Sequence, residues 1–475
     1  MDCSRTIGRI LVVGLAVLAA GERGYGQPPA ENDEQAVEEP ASGARTFSSE
    51  LPLTVFVQHV DVDGFPKAPE ELGTTPAAEP ISIPGGVFWY IEPIGDVEMQ
   101  ALATEMEAKD IPGVDLPGDT TDQDLVNFLG LVLMRVLFLA DTQVTDAGLE
   151  HLRDLAALRS LSLEGTQVSD AGLEHLRGLP QLQKLWLTDT QVTDAGLEHL
   201  HDMTEMRELS LGDTQVTDAG LEHLRGMTQM RQLILWDTQV TDAGLKNFCG
   251  MPRLRELWLA GTQVTDAGLE HFRGMAHLQE LILWNTQVTD AGLKHLRGMT
   301  QLRGLYLHST QVTNAGLEHL RNMTRMRELN LNGTQVTDAG LEHLRGMTQL
   351  RGLYLHSTQI TDAGLEHLCN MTRKRKLNLN GTQVTDAGLE HLQGMTEMMV
   401  LGVTRTQVTD AGLEHFHGMT RMRELYLHGT QITDAGLNHL RGMTQMRQLI
   451  LTETQVTDEG VAELQKALPQ LEIRR

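Results

Sequence analysis

Histidine is the first residue type in this sequence whose placement could do chemistry. Twelve of the 19 histidines (His151, His175, His199, His223, His271, His295, His319, His343, His367, His391, His415 and His439) stand at multiples of 24 residues from one another. Imidazole is a common metal ligand and proton carrier, so such a row invites a metal or relay reading. Its repetition argues otherwise. Ligand nitrogens must each lie ~2 Å from one metal, whereas equivalent positions on successive helices lie about 10 Å apart. A catalytic or metal site is one constellation in one place. A residue present in every repeat answers a need of every repeat, which is folding.

The other rows yield to the same reasoning. The threonines from Thr142 to Thr454 could be nucleophiles, but no base is singled out beside any of them, and hydroxyls there can satisfy turn backbone groups. Most of the 22 methionines fall in two core columns, as in Met203 with Met206 and Met227 with Met230. They read as adaptable core filler rather than a copper store. Cys249 and Cys369 are 120 residues apart, five repeats of 24. At about 4.8 Å per strand that separates them by roughly 24 Å, far beyond the ~7 Å a disulfide spans. They should be free thiols, and Cys3 lies in the leader. Outside the rows only His59 with Asp61 and Asp63 suggests catalysis, and it lacks a nucleophile–base pair. No enzyme, metal or cofactor is expected.

The elements that place these residues follow from the period. Thr142-Gln143-Val144-Thr145-Asp146-Ala147-Gly148-Leu149 recurs 14 times at steps of 24 with no insertion. In one unit, Leu158, Leu161 and Leu163 follow the spacing L-x-x-L-x-L, and Leu161 and Leu163 alternate with polar residues as in a short half-buried strand. Ser169 and Asp170 then open a short helix whose free N–H groups they can cap, with Leu173, Leu176 and Leu179 on one face. One unit cannot close a core; stacked units bury a continuous one. Thr121 to Leu125 keeps the register one step earlier, and Gly460 to Ile473 departs from it, so both ends read as caps.

The TQVTDAGLEHL-type unit resembles the bacterial TDAGL class of leucine-rich repeat proteins and is similar to the cysteine-containing repeats of F-box adaptors. The likeness covers roughly residues 98–475. It implies an α/β fold, a right-handed leucine-rich-repeat solenoid (horseshoe) with a parallel concave sheet and short convex helices. The F-box relatives select substrates for ubiquitin ligases. No F-box is found here, so an adaptor role rests on the likeness alone.

Selectivity in such an array belongs to the letters that vary. The strand residues flanking the two buried leucines should face the concave side. There stand Trp186, Trp258, Tyr306, Tyr354 and Tyr426 between the leucines, and Trp236, Trp284, His308, His356 and His428 just after the second. Four of the five tryptophans and three of the five tyrosines of the chain lie on this face. Exposed aromatic patches usually mark interaction surfaces. We divide the face into an aromatic-aliphatic patch from Trp186 to Trp284 and a Tyr/His–Asn/Asn alternation from Tyr306 to His428. The alternation belongs to a doubled 48-residue unit, residues 299–346 and 347–394, so duplication alone could account for it. Lys374 stands in a column otherwise filled by Leu or Met, which makes it a weak point.

Residues 1–26 read as a secretory signal, with Arg5 and Arg9 before the apolar run Ile10 to Ala20. Residues 27–50 read as an acidic flexible linker, 51–95 as a small β segment, and 96–475 as the array of about 14 repeats with caps. Asp96 to Lys109 has the spacing of an amphipathic helix. The net charge is −26, and residues 31–119 hold 19 acids against 3 bases. That balance excludes nucleic acid and anionic membrane surfaces as partners. No later apolar run is long enough to span a bilayer. The sequence therefore points to an exported scaffold (periplasm, cell envelope or extracellular) whose concave face takes a protein, a peptide or an envelope glycan. A structural repeat protein of the envelope with no specific ligand is the alternative.

Overall fold

The computed structural model describes residues 45–59, 68–85 and 87–475. The signal segment, the linker up to residue 44, and Asp61 and Asp63 lie outside the described residues. The chain divides into two compact units, with the boundary in the sequence between Gln215 and Val216.

In the first unit the strand Phe88–Pro93 pairs antiparallel with Leu53–Gln58, which pairs in turn with Glu70–Thr75. A helix, Met99–Ala108, follows and buries Leu102, Ala103 and Met106. The sheet then continues in parallel through Gly113–Asp115, Val136–Phe138, Ser160–Ser162, Lys184–Trp186 and Glu208–Ser210. His59 meets Glu70, with Nε2 3.3 Å from Oε2.

The second unit is built from repeats and their cap. Its strands run from Gln232–Ile234 through Glu256–Trp258, Glu280–Ile282, Gly304–Tyr306 and Glu328–Asn330 to Glu472–Arg474, each parallel to the next. The register is fixed by the period: Leu233 faces Leu257, Leu257 faces Leu281, and so on. Both inward apolar positions of each repeat strand are buried, leucine throughout except Val403, together with the valine and leucines of the turn and helix, such as Val288, Leu293 and Leu296 beside Leu281 and Leu283. Each such side chain contributes about 1.5–3 kcal/mol on leaving water. This is an α/β repeat fold of the leucine-rich type, a parallel sheet on one side and single-turn α or 3-10 helices on the other.

The invariant letters form ladders between repeats. Each first threonine turns back on its own strand, as where Thr262 Oγ1 donates to the Leu259 carbonyl at 2.5 Å. Each aspartate reaches forward one repeat. Asp338 Oδ1 accepts the backbone N–H of Thr361 at 2.8 Å and Oδ2 accepts its hydroxyl at 2.6 Å. The aspartate thus serves the following repeat as well as the helix it begins. Where Asn314 replaces it, Oδ1 accepts from Thr337 N and Nδ2 donates to Thr337 Oγ1. The glycine after it is required by the same ladder: a Cβ on Gly364 would lie 2.3 Å from Asp338 Oδ1. The TDAGL motif is the local signature of this bond.

Candidate functional site

The sheet of the second unit presents three parallel rows away from the leucines. Beginning at Gln232, the first row runs Gln232, Glu256, Glu280, Gly304, Glu328, Gly352 and Lys376. The second runs Ile234, Trp258, Ile282, Tyr306, Asn330, Tyr354 and Asn378. The third, one residue past the second leucine, begins Trp236, Ala260, Trp284, His308. In-register neighbours lie about 4.8 Å apart, so bulky side chains in one row cover each other. This corrects the expectation of a fully wetted face. Of the ten candidate residues, His356 is exposed; Trp186, Trp236, Trp284, Tyr306, His308, Tyr354, Tyr426 and His428 are half-buried. Trp258 is only 5% exposed, sealed along its row between Ile234 and Ile282. Ala260, between the two outer indoles, is equally closed. The patch is a second apolar layer on the sheet, with Trp236 and Trp284 as its half-exposed surface.

The Tyr/His half has a structural logic that the sequence alone conceals. The Glu328 carboxylate lies over Gly352, where a Cβ would stand 1.8 Å from Oε2, and it accepts a hydrogen bond from the Tyr354 hydroxyl. The Tyr306 ring lies similarly against Gly304. Gly-Leu-Tyr and Glu-Leu-Asn strands interlock: the glycine makes room for the neighbouring glutamate. The asparagines are structural as well. Asn330 Oδ1 accepts from Asn332 N, and Asn332 Oδ1 accepts from His356 N at 2.7 Å. His356 and His428 bond onward through Nδ1 to the Asn380 carbonyl and to Thr452. Tyr426 donates to Glu424 at 2.7 Å.

Between the two halves the bonding is incomplete. Trp258 Nε1, the Tyr306 hydroxyl, His308 Nδ1 and Glu328 Oε2 are buried without a hydrogen-bond partner. Buried polar groups in folded proteins nearly always have one. The His308 ring stacks on Trp284 at 5.1 Å between centroids. Burial holds its pKa down to about 4, so the ring is neutral. Burial, reinforced by Glu280 and Glu328, pushes the Tyr306 hydroxyl well above its usual range. Burial also raises Glu328, against the opposing pull of Lys376 and of Lys374 beneath the sheet. The arrangement offers no nucleophile with a base. Among the described residues no group of three His, Cys, Asp or Glu side chains is placed to hold a metal ion.

The first unit carries an aromatic run that the repeat pattern alone did not reveal. Phe56 stacks on Tyr90 at 5.2 Å, Tyr90 meets Phe138 edge-on at 5.2 Å, and Phe138 meets Trp186 at 6.2 Å across the small, buried Ser162. Only Trp186 was singled out in sequence, because Phe56 and Tyr90 precede the periodic region. Phe138 shares Trp186's column and was the available signal.

Residues 322–344 match the Leucine Rich repeat family. No curated protein matches the chain. Among solved structures the chain is similar to an internalin of Listeria monocytogenes, at 22% identity over 79% of this chain and 93% of that one, with a TM-score of 0.48. It is also similar to a leucine-rich-repeat protein of Leptospira interrogans, at 14% identity over 81% and 88%, with a TM-score of 0.48. A plant peptide hormone receptor in complex with RGF2 is 11% identical over 76% and 81%, with a TM-score of 0.35. Both the matched repeat and the strand–turn–helix geometry of its neighbours are those of a leucine-rich repeat. No helix among the described residues is long and apolar enough to cross a membrane.

Proposed function

We propose that this leucine-rich-repeat scaffold is an exported protein-interaction module that holds a polypeptide partner on the sheet of its second unit, at Trp236, Trp284, Tyr306 and His308, over the closed Trp258. One observation carries this reading: the half-exposed indoles of Trp236 and Trp284, the second stacked on His308, stand over a closed apolar layer of Ile234, Trp258 and Ile282. A partner that covers these indoles with apolar groups would complete the burial of this layer. Trp and Tyr at such places dominate binding energies, often above 2 kcal/mol each.

The full chain, immobilised, is expected to retain a polypeptide from native envelope extract. Trp236→Ala with Trp284→Ala should weaken that retention by roughly 30-fold or more while the far-ultraviolet circular dichroism stays unchanged. A retained glycan, or retention unaffected by the double substitution, contradicts the assignment. The Gly–Tyr and Glu interlock favours a second reading for residues 304–356, in which the alternation serves the sheet alone. On a purely structural envelope role no substitution on the sheet face changes retention, and deletion of whole repeats is tolerated.

A further inference from the structure

The histidine row on the helical side has partners that its spacing did not foretell. In five places a donor from the preceding repeat, 22 residues earlier, points at a histidine Nδ1. Arg153 approaches His175 with Nη2 at 2.6 Å, Arg273 approaches His295 at 3.0 Å, and Arg297 approaches His319 at 2.6 Å. Arg345 approaches His367 at 2.6 Å, and the Gln393 amide approaches His415 at 2.6 Å. A guanidinium only donates. Each arginine rung therefore requires Nδ1 to accept, which fixes a neutral ring with its proton on Nε2. Protonation removes the acceptor and leaves two cations in contact.

We propose that the Arg273–His295 and Arg297–His319 rungs are an acid-sensitive latch: they tie the helical turns of successive repeats together at neutral pH and release them as the rings protonate. The surroundings support the direction. His295 faces Arg273 and Lys294 on one side and Glu270 and Asp266 on the other. His319 faces Arg297 and Lys294 against Glu318 and Asp290. In both, burial first and the arginine second hold the ring below its ordinary pKa, outweighing the acids. The folded state thus binds fewer protons than the unfolded chain as pH falls below about 6.5. The latch's stability is complete above that value and is lost on acidification. Gln393 supplies the internal contrast, since an amide can turn its oxygen to a protonated ring.

The test is hydrogen exchange of the full chain at pH 7.5 and 5.5, corrected for intrinsic rates, with Arg273→Gln plus Arg297→Gln as the comparison. Wild-type protection over residues 290–296 and 314–320 should fall roughly three- to fivefold at the lower pH, and the double variant should keep it. Unchanged wild-type protection, or an equal loss in the variant, overturns the proposal. If the arginine variant is already loosened at pH 7.5, His295→Gln plus His319→Gln removes the titrating rings instead. That variant must abolish the acid step, and its persistence overturns the latch equally.

Discussion

At pH 7 the Lys374→Leu protein should unfold at a higher temperature than the wild type, by roughly 6–12 °C. Lys374 is fully buried in the column that holds Leu350 and Met398 in the adjacent repeats, and its Nζ has no hydrogen-bond partner. Burial drives its amine down from 10.5 to about 7, with Glu328 the opposing influence. Linkage converts that displacement to about 5 kcal/mol at most, and local relaxation around the charge reduces the expectation to ~3 kcal/mol. The sign has a pH signature. The folded state holds fewer protons than the unfolded chain between about 7 and 10.5, so wild-type stability gains on the variant as pH rises through that window. Thermal melts of both proteins at pH 7 and pH 9.5 check this. A variant no more stable than the wild type, or a difference that does not narrow at the higher pH, would mean that Lys374 is not the buried cation described.

Gly364→Ala should destabilise the second unit by about 3 kcal/mol, although alanine is the better helix former by about 1 kcal/mol. Gly364 is buried in the helix Asp362–Glu366. An added Cβ would meet Asp338 Oδ1 at 2.3 Å and the Ile360 side chain at 3.2 Å. Asp338 cannot retreat without giving up both bonds to Thr361, and each bond to a charged acceptor is worth about 1.5–3 kcal/mol. Gly394 is the control, since nothing lies within 4 Å of its added Cβ; alanine there should change stability by under ~0.5 kcal/mol. Urea midpoints of the two variants separate the cases, and equal midpoints would refute the ladder as the reason for the glycine.

These two positions show what was legible in the sequence. The strand, the turn and the buried leucines follow from a 24-residue period in which apolar letters alternate and then recur every three or four. Lys374 was readable for the same reason, as the odd residue in an apolar column. The aspartate and glycine of TDAGL were readable as structural, but their shared bond was not, because it joins one repeat to the next. The residue before each T-Q-V was also passed over. Asp237, Gly261, Asn285, Ser309 and Gly333 all take positive φ there, and a column of Gly, Asn, Asp and Ser is the usual signal for it.

The face was legible in direction and misjudged in depth. Alternation along one strand says which side a residue takes, but burial on that side depends on neighbours 24 residues away. Trp258 between two isoleucines is therefore dry, whereas Trp236 and Trp284, separated by Ala260, remain partly wet. The Tyr/His–Asn/Asn alternation is open in the sequence to two readings, a binding face or a by-product of duplication. It is in large part packing between strands, and only the contact of Glu328 with Gly352 reveals it.

If invariant columns build the scaffold and recognition belongs to the half-exposed indoles of the second unit, hydroxyl-radical footprinting of the full chain, free and with its retained partner, should separate the two sides. Oxidation of Trp236, Trp284 and His308 should fall in the complex while the histidines of the helical side keep their reactivity. Protection of the helical histidines with Trp236 and Trp284 unchanged would place the partner on the other side.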